Sequence, residues 1–403
     1  MNGREASAPY TGTPIRIING GWGLVRSDEG VVFLNYVIPG EQVTFRIKEK
    51  ARGVLWGRLL EVLTPSEHRV QAPCPYFGEC GGCVFQHINY PYQEIVKREI
   101  LQNDLERIGG CNIDLPEVIP SPPFHNRIRA RMKGHDDGKI GFIRKGTHRV
   151  IPINRCLLFP DAVNGFLEKW NALKNPPFFH QMDILMNPHS KKVYIHLSHP
   201  PHTRQKETLE LFPEILFSWN GNDDTGVSEI KIKNWTYFVS PTVFFQVNPF
   251  QWENMLNGVE SYLGESRTII DLYTGVGFFI PLLKKYAQKV IGVESVGLSV
   301  KLAERAFGCK GVEFLKTPVE KFHFPEADII VADPPRSGLS KHVMQHVLRK
   351  KYKKIIYMSC SSATFSRDVK VLRENGYRLE DLKIFDLFPQ TSHLETLSCF
   401  VKE

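Results

Sequence analysis

Ala327-Asp328-Ile329-Ile330-Val331-Ala332-Asp333-Pro334-Pro335-Arg336 is a short apolar run that stops at a carboxylate and a proline pair. Further on, Ile355-Ile356-Tyr357-Met358-Ser359-Cys360-Ser361 repeats the plan and stops at a thiol. Short, β-branched runs bounded by turn residues are strands buried on both faces of a parallel sheet. Open α/β sheets bind their ligands at the carboxyl ends of such strands. The two stops therefore set Asp333 and Cys360 on one sheet edge, a carboxylate and a nucleophile beside a ligand. A core cysteine at a strand end is the plainer alternative, and position alone does not separate the two.

Working outward, Thr268–Leu272 and Val290–Val293 show the same strand pattern, and from Val243 onward strands alternate with helical spacing. This is a doubly wound α/β domain. Asp271-Leu272-Tyr273-Thr274-Gly275-Val276-Gly277 closes its first strand, the glycines permitting a tight turn and close approach of a ligand. The next strand ends at Glu294, placed to accept hydrogen bonds from a ribose diol. Ile280 stands where the third glycine of a dinucleotide fingerprint belongs, which weighs against a dehydrogenase. A proline pair after Asp333 suits a methyltransferase, which lays a flat base or an amine there.

A helix is predicted to start near Ala363, so its amides should give Cys360 thiolate character, with Ser359, Ser361 and Ser362 as further donors. Glu395 is placed on the connection between Phe385–Phe388 and a last strand, Leu397–Val401, within reach of the same edge. His393 is the other candidate base, and spacing does not choose between them. One reaction uses the whole set. Carbon 5 of uracil becomes nucleophilic once a thiolate adds to carbon 6; after methyl transfer a base takes the carbon 5 proton and the thiol leaves. An exocyclic-amine methyltransferase, using Asp333-Pro334-Pro335 without Cys360, is a rival.

The N-terminal half reads differently. Residues 14–64 alternate apolar and polar positions between glycine turns, the pattern of a small β-barrel. A linker follows from Pro65 to Val70, then a cysteine knot from Cys74 to Cys83, a helix over Pro91–Gly109, and an antiparallel α+β region from Asn126 to about Ser240 with strands such as Ile140–Ile143 and Lys192–Leu197. At 403 residues the chain holds two or three such units. No apolar run approaches the roughly 18 residues that span a bilayer, and Met1–Glu5 has no signal-peptide core. A cytoplasmic protein without membrane or obligate protein partner is the expectation. Its charge is +8, concentrated in two places. Between His125 and Arg155 nine Lys and Arg face two Asp, a net of +7, and Arg46, Lys48, Lys50, Arg52 and Arg58 face only Glu49. Such patches suit a phosphate backbone, though a solvated surface fits equally. Eight cysteines in a cytosolic chain are thiols or metal ligands rather than disulfides.

Phe244-Phe245-Gln246-Val247-Asn248, Asp271-Leu272-Tyr273, Asp333-Pro334-Pro335-Arg336-Ser337-Gly338 and Ser359-Cys360 occur in order, and by them the chain resembles the RNA uracil-C5 methyltransferases over nearly its whole length. The resemblance implies S-adenosylmethionine bound by Gln246, Tyr273, Glu294 and Asp333, with Cys360 as nucleophile and Glu395 as proton-abstracting base. Thr274 departs from the cysteine common there. Cys74, Cys80, Cys83 and Cys156, with Glu79 and Gln86-His87 around them, resemble the 4Fe–4S framework of one subgroup; four thiolates suit zinc too. Residues 14–64 are then similar to a TRAM domain, and barrel plus cluster resemble the enzymes of 23S ribosomal RNA. Transfer RNA is the alternative substrate, and an RNA-binding assembly factor with a vestigial methyltransferase fold the non-enzyme reading. The implied fold is multidomain: a TRAM- or OB-like β-barrel over 1–66, a central α+β iron–sulfur domain over 67–230, and a Rossmann-like methyltransferase domain over 231–403. Phe142, Arg144, His148 and the Arg127–Lys133 run fall in the basic region that such enzymes use for RNA.

Overall fold

The computed structural model describes residues 9–51, 53–220 and 226–403; the Met1–Glu5 segment and Arg52 lie outside the described residues. The first unit is a curled six-stranded sheet: β1 (Tyr10–Gly12), β2 (Pro14–Ile18), β3 (Trp22–Ser27), β4 (Gly30–Asn35), β5 (Gln42–Ala51) and β6 (Val54–Thr64) in the order β1-β5-β6-β4-β3-β2. Alternation sends Val25, Val32, Leu34, Val43, Phe45 and Leu55 inward to a small closed core. The curl is tight enough to exclude side chains at two inward positions. A Cβ on Gly23 would meet Val37 at 2.2 Å, and one on Gly57 would meet Leu34 at 2.4 Å.

Helix α1 (Tyr90–Arg107) begins where the Asn89 side chain accepts from the Tyr92 amide at 3.0 Å, with Pro91 in its first turn, and it ends at Ile108 before a glycine pair. It is buried on two sides. Val96 and Ile100 pack with Ile17, Ile38 and Phe85 of the barrel side, while Leu101 and Leu105 join the core of the C-terminal sheet. The short strand β7 (Val118–Ile119) follows.

The central sheet runs β10-β9-β8-β11-β12-β13, with β8 (Arg129–Gly134), β9 (Ile140–Ile143), β10 (Val150–Pro152), β11 (Gln181–Met186), β12 (Val193–Leu197) and β13 (Ile215–Trp219). All its pairs are antiparallel except β12 with β13. Helix α2 (Asp161–Asn171) adds Phe166, Leu167 and Trp170 to its core, and α3 (Thr203–Leu209) adds Leu209. A hairpin of β14 (Ser228–Ile232) and β15 (Trp235–Val239) leads to α4 (Trp252–Glu260).

The last unit alternates β16 (Ser266–Leu272), α5 (Ile280–Tyr286), β17 (Ala287–Glu294), α6 (Gly297–Phe307), β18 (Val312–Lys316), β19 (Ile329–Ala332), α7 (Lys341–Lys350), β20 (Lys354–Ser359), α8 (Ser362–Glu374), β21 (Tyr377–Phe385) and β22 (Glu395–Lys402). Its eight strands are ordered β18-β17-β16-β19-β20-β22-β21-β7. The first five are parallel, and β22 runs antiparallel to both β20 and β21.

Two expectations change, and one strand, β18, was not foreseen. The division at 67–230 cuts two units, because β14 spans residue 230 and β7 completes the C-terminal sheet beside β21. Strand β18 carries no continuous apolar run, being a half-exposed edge strand that needs apolar residues on one side only. Glu395 is not on a connection: it is the first residue of β22, opposite Phe385, and the next residue, Thr396, pairs with Ser359. Because β22 is antiparallel, its beginning lies at the carboxyl end of β20. No described helix is long and apolar enough to cross a membrane.

Candidate active site

Cys360 sits between β20 and α8, half-buried, at the wall of a cavity of about 120 Å³ lined also by Asn19, Arg336, Ser361, Ser362, Ser392, His393 and Leu394. The predicted thiolate does not follow from this setting. The N-cap of α8 is Ser361, whose hydroxyl already accepts from the Thr364 amide at 3.5 Å. Burial pushes the Cys360 thiol up to about 12, the charges of Glu395 and Asp333 add to the rise, and Arg336 opposes it. Desolvation and two acids outweigh the helix terminus, so the free protein holds this thiol protonated.

The two acids share the edge. Asp333 leaves β19, and its Oδ2 accepts from Gln246 Nε2 at 3.0 Å. Desolvation raises its carboxyl to about 7 despite that bond. Glu395 is 4% exposed, and burial first, then the charge of Asp333, holds its carboxyl well above the usual range while Arg336 pulls the other way. His393 lines the Cys360 cavity, yet burial and the cations Arg336, Lys97 and Arg127 lower it to about 4. Glu395 therefore has much the higher proton affinity of the two candidate bases, a difference that spacing along the chain does not contain.

Beside these acids, Phe244, Gln246, Tyr273, Thr274, Gly275, Val276 and Asp333 line a cleft above β16. The turn that forms it passes through left-handed backbone at Tyr273, with φ 62°, and at Gly275 and Gly277. A tyrosine held there stores of order 1 kcal/mol, tolerated because the turn is pinned by neighbours. Thr274 donates its amide to Val293 at 3.1 Å and its hydroxyl to the buried Asp271, and the Gly275 amide donates to Glu294 at 3.1 Å. Glu294 also accepts from the Val296 amide at 2.7 Å, so one carboxylate ties the glycine turn to the end of β17. The fold brings Gln246, Tyr273 and Asp333 to one cleft and sets Glu294 against its glycine turn, the arrangement a nucleoside carrying an amino-acid tail requires.

Cys74, Cys80, Cys83 and Cys156 lie apart from this edge, around a cavity of about 350 Å³. Burial raises Cys83 to about 12 and Cys156 to about 11, and thiolates of the same set repel one another. Arg127, Arg131, Lys133 and Arg155 complete the lining. Among the described residues no three His, Cys, Asp or Glu side chains converge tightly enough for a single metal ion. Four cysteines thus line one cavity, and of its cations Arg131 and Arg155 are ion-paired with Asp183, Asp161 and Glu168. The basic run itself is partly engaged: the Arg129 guanidinium donates to the carbonyls of Pro241, Val243 and Phe245, Arg131 pairs with Asp183 at 2.8 Å, and Lys133 with Gln181 at 2.6 Å. Phe142 lines the cysteine cavity, and Arg144 forms an isolated bridge with Cys80.

Sequence reading missed Asn19, which reaches the Cys360 cavity from the barrel and donates to Ser362 Oγ at 3.3 Å across 343 residues. It also missed the brace behind Glu395. Lys97 and Asp386, both fully buried, pair at 2.6 Å, Tyr90 donates to Asp386 at 2.9 Å, and Gln93 exchanges bonds with Gln390.

Residues 319–402, which carry Asp333, Cys360 and Glu395, match the family model described as tRNA (uracil-5-)-methyltransferase. An uncharacterized RNA methyltransferase of Thermotoga maritima is 31% identical, covering 96% of this chain and 98% of its own. One from Aquifex aeolicus is 30% identical over 97% and 98%. The chain belongs to the RNA uracil-C5 methyltransferase family. It is an S-adenosylmethionine-dependent RNA methyltransferase. Among solved structures, the tRNA (uracil-54, C5)-methyltransferase of Pyrococcus abyssi, in complex with S-adenosyl-L-homocysteine, superposes with a TM-score of 0.76 at 25% identity, over 97% of this chain and 99% of that one. At 97% coverage that likeness extends over the N-terminal barrel, so in this RNA uracil-C5 methyltransferase the barrel fold does not by itself separate ribosomal from transfer RNA substrates.

Proposed function

We propose that this methyltransferase modifies carbon 5 of one uridine in a folded RNA, with Cys360 as nucleophile and Glu395 as proton acceptor. The observation that carries the reading is the meeting of thiol and two acids at one edge: Glu395 and Asp333 are the foremost charges acting on Cys360. The uridine leaves its stack, at a cost of a few kcal/mol, to reach the half-buried thiol. Cys360 gives up its proton to water as its sulfur bonds to carbon 6, and the 5,6 electron pair of the ring moves to the carbonyl oxygen at carbon 4, leaving an enolate whose carbon 5 can take the methyl. S-adenosylmethionine, held by Gln246, Tyr273, Glu294 and Asp333, supplies the methyl. Glu395 then takes the carbon 5 proton; the electron pair restores the ring double bond as the carbon–sulfur bond breaks.

Glu395→Gln is expected to form the adduct and release product about 10²–10⁴ times more slowly, read by single-turnover kinetics. The wild-type kcat/KM should fall as pH drops through about 7, since Asp333 is raised to about 7 and Glu395 is raised beside it, so acid reprotonates the pair. A flat profile, or normal turnover in the variant, would place the base elsewhere.

For the substrate, 23S ribosomal RNA is the first reading, and the Pyrococcus likeness favours transfer RNA equally. Mass-spectrometric mapping of 5-methyluridine in both RNAs from cells lacking the protein decides. Loss from neither would end the reading. Cys74, Cys80, Cys83 and Cys156 are proposed to hold a 4Fe–4S cluster, whose negative charge Arg127, the cation that acts on Cys80, Cys83 and Cys156, would partly offset. Anaerobically purified protein should be brown and should lose its colour with Cys83→Ser; a colourless protein with stoichiometric zinc would overturn the assignment.

A further inference from the structure

We propose that Gln390 is a positioning residue, which sets the wall of the Cys360 cavity by fastening it to helix α1 and to the loop after Cys83. The inference rests on the uridine-methylating reading above and adds a residue to it. Gln390 stands two residues before Ser392, and Ser392, His393 and Leu394 are that wall. Its backbone is left-handed, with φ 67°. Glycine adopts such a turn without strain, so the turn itself does not call for a glutamine.

Its bonds do. Every polar atom of Gln390 is engaged, and none of its partners belongs to the α/β sheet. The amide donates to Gln93 Oε1 at 3.1 Å, and Oε1 accepts from Gln93 Nε2 at 3.0 Å. The Nε2 group donates to the Pro123 carbonyl at 3.3 Å. The carbonyl accepts two amides of the cysteine loop, Val84 at 2.9 Å and Phe85 at 3.0 Å. Gln390 is buried, so any of these bonds left unmade would strand a polar group in the interior.

The anchors are firm. Gln93 Nε2 also reaches the carbonyls of Phe85 and Ile88 at 3.1 and 2.8 Å, and both residues are buried with Val96 and Ile100 of α1. A Cβ on Gly21 of the barrel would lie 2.9 Å from Val84. Beyond Gln390 the chain closes on itself. Thr391 donates its amide and hydroxyl to the Phe388 carbonyl at 3.3 and 2.8 Å, and the hydroxyl accepts from the His393 amide at 3.2 Å. The place of His393 in the cavity therefore follows from that of Gln390. Glu395 is fixed separately, by its pairing with Phe385, so Gln390 governs the seat of the base rather than the acid. A reacting group seated about 1 Å out of place reacts about a hundredfold more slowly.

The test uses the full chain, S-adenosylmethionine and RNA carrying 5-fluorouridine, with covalent adduct formation timed on denaturing gels. Gln390→Asn tolerates the left-handed turn, but its side chain is one methylene too short for Gln93 and Pro123. It should lower the limiting rate at saturating RNA about tenfold to a hundredfold. The half-saturating RNA concentration should stay within about twofold, and S-adenosylhomocysteine binding should not change, because seating and not capture is lost. A merely structural role predicts a lower melting temperature with a wild-type limiting rate, and that result overturns the proposal. If this variant fails to fold, Gln390→Glu decides. A protonated carboxyl keeps the side-chain length, an acceptor for Gln93 and a donor for Pro123, and ionising it sets an oxygen against the Pro123 carbonyl. Its rate relative to wild type should approach one in acid and fall as pH rises; a ratio independent of pH overturns the proposal. Wild-type protein that forms no adduct overturns the uridine-methylating reading itself, a separate result.

Discussion

RNA carrying 5-fluorouridine at the target position is expected to trap this enzyme in a covalent complex that survives denaturant, and Cys360→Ala is expected to form none. Fluorine cannot leave as a proton does, so the step assigned to Glu395 is blocked while the carbon–sulfur bond stands. Turnover on natural RNA should fall on the order of 10⁴-fold or more in Cys360→Ala, because a covalent route has no substitute once its nucleophile is gone. The structure makes this a sharp test. Cys111 and Cys399 are buried elsewhere in the domain, and Cys360 is the cysteine lining the cavity where Arg336, Ser392 and His393 meet. An undiminished adduct in the alanine variant would refute the thiol mechanism, and an amine methyltransferase would show no adduct with either protein.

Lys97→Ala is expected to lower stability by about 3–5 kcal/mol, a fall in Tm of roughly 10 °C. Its ammonium is fully buried, paired with Asp386 at 2.6 Å and bonded to the Phe388 carbonyl at 3.0 Å. Burial lowers the Lys97 ammonium below its ordinary value, and the Asp386 carboxylate opposes that shift. Removing one partner leaves the other charge stranded in the core. Lys97→Met with Asp386→Leu should regain most of the loss, since two apolar groups of similar size need no compensation. A double-mutant cycle in thermal melts checks this, and equal, additive losses would mean that the pair is not coupled. The same brace holds the segment Asp386–Leu394, so the single variant should also release product slowly through a displaced Glu395.

Much of the fold was legible in the chain. Strands β16, β17, β19 and β20 are buried on both faces, so each is a run of β-branched residues that needs no partner to be recognised. Their ends carry Tyr273, Glu294, Asp333 and Cys360, which places the chemistry at the edge as soon as the strands are read. Strand β7 escaped because two residues have no period, and the start of β22 because Glu395 is polar where a strand pattern asks for an apolar residue. That polar residue is the one the proposed reaction needs, and its burial in the sheet raises its carboxyl well above the usual range.

Local pattern, then, determined the α/β sheet, the residues at its edge and the cysteine set, because strand periodicity and turn chemistry act between neighbours in the chain. Tertiary structure alone decided that the Cys360 thiol is raised, that burial raises Glu395 while it lowers His393, and that Asn19 of the barrel stands at the same cavity. Those are matters of desolvation and proximity among groups up to hundreds of residues apart, and only the packed chain brings them to one place.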